Sequence, residues 1–137
     1  LDKEKKSGLQ KIETYSNFQP IIDAIRTNFL DFLIEKKKED KTVVAYGAAA
    51  KGNTLLNYCG IKSDLITAVF DAAKAKQGKF LPGSHIPIRD PKEIKSFKPD
   101  YVVILPWNIA DEVIKQNKDL YDSGVKFVIA VPELRIL

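Results

Sequence analysis

One cysteine, one histidine and no methionine occur in this chain of 137 residues. A lone Cys59 closes no internal disulfide, and with His85 as the only histidine no Cys/His cluster with metal-ligand spacing can form. Neither a disulfide framework nor a metal site is expected within the chain. No apolar run approaches the ~18 to 20 residues needed to cross a bilayer, and the basic, apolar, small-residue order of a secretory leader does not open the chain. A cytoplasmic setting with no membrane partner is the expectation. The start at Leu1 and the lack of methionine suggest a piece cut from a longer polypeptide.

Charge of one sign is not concentrated either. The net +4 arises from 22 basic against 18 acidic residues spread along the chain. Lys36 to Lys38 is the only compact basic run, and Glu39 and Asp40 follow it directly, as at a solvated helix end. Nucleic-acid binding would need a basic face interleaved with exposed aromatics, and the aromatics here fall at expected core positions, so no nucleic-acid partner is expected. Several catalytic signatures are missing too: there is no nucleophile elbow, paired-carboxylate motif or His/Asp/Ser arrangement. A complete catalytic machine is not expected in the chain.

What is present is ordinary core-forming material. Hydrophobic residues make up 45% and charged residues 29%, and the length suits one hydrophobic core. Residues 1–16 are polar and lysine-rich without a clear period, and are expected to form a loose lead-in. Ile21, Ile22, Ile25, Phe29, Phe32 and Leu33 then recur at helical spacing to about Lys38, with Pro20 at a suitable first-turn position. Short apolar strands are expected at 42–46, 65–70, 86–88, 101–105 and 126–131. Helices are expected at 53–59, 91–97 and 109–120. Continuously apolar strands alternating with helices indicate a parallel sheet covered on both faces. The fold class is therefore α/β: a Rossmann-like doubly wound parallel sheet of about five strands in the order 3-2-1-4-5, with flanking helices and an N-terminal connector helix. Residues 1–41 would be lead-in and connector, and residues 42–137 the Rossmann-like domain.

In such a sheet the ligand lies beyond the carboxyl ends of the strands where the winding reverses, here between the first and fourth strands. Two loops should meet there. Gly47-Ala48-Ala49-Ala50-Lys51-Gly52-Asn53 has small residues for a sharp turn and opens a helix whose free N–H groups attract anions. It lacks the Gly-x-Gly-x-x-Gly dinucleotide fingerprint, and Asn53 stands where a Walker A loop needs its lysine. Those small residues also suit close helix-to-strand packing. Asp71 ends the second strand 24 residues after Gly47, near where Rossmann domains place a ribose-binding acid, although it equally suits a turn or cap. Pro106-Trp107-Asn108 offers an indole surface and an amide, with Glu112 in the following helix. Packing of the helix is the other reading of Trp107. His85 reads as a loop histidine without a chemical role, and Cys59 as core.

The stretch from Tyr46 through Asn53 to Ile61 also resembles the opening of the C-terminal domain of S-adenosylmethionine-dependent sugar C-methyltransferases. Two further segments agree in order: Lys76 to Gly83 running on to Ile86-Pro87-Ile88, and Pro99-Asp100-Tyr101 leading to Pro106-Trp107-Asn108. The match covers roughly residues 42–132. The resemblance implies a small zinc-binding N-terminal domain, a central domain that binds S-adenosylmethionine, and this Rossmann-like C-terminal domain. It implies C-methylation of a nucleotide-linked keto-deoxysugar, with S-adenosylmethionine and zinc held upstream and no cofactor in this chain. The residues expected to line the substrate are Gly47, Ala49, Lys51, Gly52, Asn53, Asp71, Trp107, Asn108 and Glu112. The implied partners are the nucleotide-sugar and the upstream methyltransferase domain. Asp71-Ala72-Ala73-Lys74-Ala75-Lys76 departs from the Asp, Arg, Asn, Pro sequence usual in the family, which removes an arginine contact. Two other readings remain open: a stand-alone NAD or nucleotide-binding module with Asp71 on the ribose, and a purely structural or dimerising domain built around the 20–38 helix.

Overall fold

The structure is a computed structural model that describes the backbone of residues 8–137 and side chains from Pro20 onward. Its elements are α1 (Gly8–Lys38), β1 (Val43–Tyr46), α2 (Ala50–Cys59), β2 (Val69–Phe70), β3 (Ile88–Arg89), a 3-10 helix (Pro91–Phe97), β4 (Tyr101–Ile104), a second 3-10 helix (Trp107–Ile109), α3 (Ala110–Gln116), α4 (Lys118–Asp122), β5 (Lys126–Ile129) and β6 (Arg135–Ile136).

The strands form one sheet in the order β3-β2-β1-β4-β5-β6. The first five are parallel, so the expected doubly wound order holds, and β6 adds antiparallel to β5. Central β1 and β4 pair in register from Val43 opposite Tyr101 to Tyr46 opposite Ile104. Their near-continuous apolar sequences follow from burial on both faces. Val43, Ala45, Tyr101, Val103 and Leu105 face a layer containing Phe29, Phe32 and Leu33 of α1 and Leu56 and Cys59 of α2. Val44, Val102 and Ile104 face the opposite layer, with Ile94, Val113 and Leu120. Each fully buried Phe or Leu contributes about 1.5–3 kcal/mol, so these two layers fix the sheet.

Several expected elements differ in extent. Residues 8–16 are helical rather than a loose lead-in, and residues 1–7 lie outside the described region. Pro20 consequently sits inside α1, not in its first turn. A helix can continue through proline at the loss of one i→i−4 hydrogen bond, which polar residues at 8–16 did not announce. The second strand is only Val69–Phe70, because the N–H groups of Leu65 and Ile66 turn back onto Lys62 O. The expected single helix at 109–120 begins as a 3-10 turn and breaks at Asn117, whose side-chain amide donates to Val113 O at 2.8 Å. This local bond competes with the helical ladder. At its own end, α2 stops on Gly60 in the left-handed conformation, with Ile61 N–H donating to Leu56 O.

Candidate functional site at the end of the sheet

The loops after β1 and β4 meet, and two glycines set how closely. Gly47 has φ +89°, and a Cβ there would lie 2.6 Å from Pro106 Cδ. A Cβ on Gly52 would lie 2.5 Å from Leu105 Cβ. The first turn of α2 therefore rests directly on the end of β4, and packing alone demands both glycines. The same packing brings chemistry together. Lys51 Nζ donates to Asn108 Oδ1 at 3.1 Å and lies 5.0 Å from the centroid of the Trp107 ring. A lysine from one loop thus bridges to the amide and indole of the other.

Helix α2 has no side-chain N-cap: Ala49 is extended (φ −85°, ψ 150°), and while its carbonyl accepts from Asn53 N–H at 2.9 Å, its methyl side chain offers no acceptor. Its first N–H groups have no intrahelical acceptors, and the helix dipole adds roughly half a positive charge there. Asn53, in this first turn, has a buried Oδ1 with no hydrogen-bond partner. The Lys51 ammonium adds a full charge beside them. The arrangement favours an anionic group with polar hydrogens nearby.

Asp71 has a different place. Its Oδ2 accepts from Ala48 N–H at 2.7 Å and its Oδ1 from Ala73 N–H at 2.8 Å. Lys76 Nζ lies 3.8 Å from Oδ2 and donates to Ala48 O at 3.0 Å. Asp71 and Lys76 together clamp the β1 loop to the β2 loop, matching the turn-forming reading that the sequence left open. Glu112 is exposed in the first turn of α3 and shares a depression of about 390 Å³ with Trp107, Asn108, Ile129 and Arg135. Sequence reasoning passed over Lys76 and Arg135. Lys76 opens a segment that the resemblance picked out without giving the lysine a role, and Arg135 arrives only because β6 folds back beside β5.

His85 has φ +61° and packs edge-on against exposed Phe80, with centroids 5.4 Å apart. Cys59 is 5% exposed in the core, where burial pushes its thiol up to about 11. Among the described residues no three His, Cys, Asp or Glu side chains gather to hold a metal, and no helix is long and apolar enough to cross a membrane.

A doubly wound sheet with an uncapped helix and two loops converging at its switch point is the architecture of Rossmann-type domains. Residues 1–132 match the family described as the C-methyltransferase C-terminal domain, and the chain belongs to that family. It is 35% identical over all 137 residues to C-methyltransferase NovU of Streptomyces niveus, and spans 33% of that relative's length. Its fold is similar to that of a UDP-D-quinovosamine 4-dehydrogenase from Vibrio fischeri, with a TM-score of 0.50 and 22% identity over 71% of this chain and 93% of the other.

Proposed function

We propose that this chain is the substrate-holding domain of an S-adenosylmethionine-dependent C-methyltransferase acting on a nucleotide-linked keto-deoxysugar. The observation that carries the reading is the Lys51 bridge, which places a cation and the uncapped start of α2 beside Asn108 and Trp107. A diphosphate suits the first two groups, and a sugar or base suits an amide and an indole. Family membership supplies the methyl transfer.

In this proposal S-adenosylmethionine, zinc and the base that removes a proton beside the ketone belong to upstream domains. The methyl donor supplies an electrophilic carbon for the resulting enolate; this chain binds and orients the sugar nucleotide. A cytoplasmic setting goes with a charged substrate that does not cross a bilayer unaided. The NAD-module reading draws less support, because both Asp71 oxygens already accept backbone N–H groups instead of standing free for a ribose.

Calorimetric titration with a thymidine-diphosphate sugar, with S-adenosylmethionine and NAD in parallel, tests the proposal. Binding of the sugar nucleotide alone, weakened by Lys51→Met, is expected. Binding of NAD in its place, or sugar-nucleotide binding indifferent to Lys51, would overturn it.

A further inference from the structure

Away from the strand ends, a groove of about 400 Å³ runs between the Pro91–Phe97 3-10 helix and the junction of α3 with α4. Four of its ten lining residues are lysines, Lys92, Lys95, Lys115 and Lys118, and only Asp119 is acidic. The whole chain carries an excess of four cations, 22 against 18, so a local excess of three is a concentration of charge. Lys95 lies 3.8 Å from Asp119, and Lys118 bonds Asp122 at 2.9 Å. The side-chain ammonium groups of Lys92 and Lys115 have no hydrogen-bond or ion-pair partner among the described residues, although the Lys92 backbone N–H donates to Asp90 Oδ1 at 2.9 Å.

The apolar surface it offers is small: half-buried Pro91 lines it, and Ile94 and Leu120, 4% and 6% exposed, close it from beneath as part of the core of this face. No arginine and no aromatic ring lines the groove, so the planar forks and stacking platforms that hold a nucleic-acid strand are missing. A cationic rim over a small apolar surface is complementary to a segment that carries carboxylates and apolar side chains together. We propose that this groove docks an acidic amphipathic segment of a partner polypeptide, with Lys92 and Lys115 as its two unpaired cationic contacts.

The test uses a fluorescein-labelled synthetic helical peptide, glutamate along one face and leucine along the other, read by fluorescence anisotropy against the full chain. An oligodeoxythymidine serves as the competing polyanion. Peptide binding should be strong at low ionic strength and weaken between about 0.01 M and 1 M salt, as the screening length falls from roughly 30 to 3 Å. Lys92→Glu combined with Lys115→Glu breaks no ion pair among the described residues and should lower affinity roughly tenfold or more with an unchanged melting temperature. The milder Lys92→Gln, Lys115→Gln pair covers the case in which charge reversal disturbs folding, and should lower affinity by a smaller factor. No peptide binding at low salt, equal binding by both double variants, or tighter binding of the oligonucleotide than of the peptide would overturn the proposal.

Discussion

Replacing Gly52 by alanine sets two opposed effects against each other at the contact that aligns the two loops. Inside a helix, alanine is favoured over glycine by about 1 kcal/mol. At this position the added methyl would stand 2.5 Å from Leu105 Cβ and 3.1 and 3.2 Å from Cγ and Cδ1. Leu105 is 1% exposed, and its Cβ moves only with the backbone that follows β4. Restoring a carbon–carbon separation of about 3.5 Å requires the first turn of α2 and the end of β4 to part by roughly 1 Å. Overpacking of this kind costs about 1–3 kcal/mol, the upper part of that range applying where backbone must shift. The net change is therefore a destabilisation of about 1–2 kcal/mol. With a urea m-value of about 2 kcal/mol/M, the unfolding midpoint should fall by roughly 0.5–1 M. The same displacement draws Lys51 away from Asn108, so affinity for a sugar nucleotide should fall along with stability. An unchanged or raised midpoint would show that the α2–β4 contact yields easily and that packing does not require this glycine.

Lys51→Met should leave stability nearly unchanged and alter the emission of Trp107, the only tryptophan, because it removes the cation from the indole; a fluorescence titration should then show sugar-nucleotide binding weakened by roughly tenfold. Asp71→Asn leaves one acceptor oxygen where two N–H groups need one each, and should cost about 1–3 kcal/mol in thermal unfolding. An unshifted melting temperature would refute the clamp. Cys59 holds its proton to about 11 in the folded chain against an ordinary value of 9.0. Its folded pKa is raised, so its contribution to stability is complete below about pH 9 and is lost as pH rises toward about 11. Thiol labelling at neutral pH should be slow until denaturant is added, and Cys59→Ala should remove this part of the alkaline loss; rapid labelling of the folded chain would contradict its burial.

The sheet was legible because β1 and β4 are continuously apolar, and only a position buried on both faces allows that. Arg135–Ile136 carried no such signal, since both residues are exposed and the strand exists only through pairing with β5. Leu65 and Ile66 misled for the reverse reason: their side chains are apolar and partly or fully buried, yet their backbone forms a turn. At the site, the meeting of the β1 and β4 loops followed from the switch point, and Lys51 and Asn108 are in contact. The partner that each group takes was not readable. An aspartate ending a strand has the same local sequence whether it faces a ribose or a neighbouring backbone amide, and only the approach of Ala48 decides.

The segment after β2 shows how the β1 loop is held in shape. Ala72 follows the aspartate, and the nearby cation is Lys76. Its ammonium is held by Ala48 O and lies beside Asp71, so its first bond is to the loop itself. That contact stiffens the peptide preceding Ala49, the residue from which α2 starts without a cap. Lys51, whose only side-chain hydrogen bond among the described residues joins it to an exposed asparagine, is a cation that can turn from its resting partner to an incoming anion at little cost. Under the proposed function the labour divides: Lys76 and Asp71 hold the loop in shape, and Lys51 is the group left to meet the sugar nucleotide.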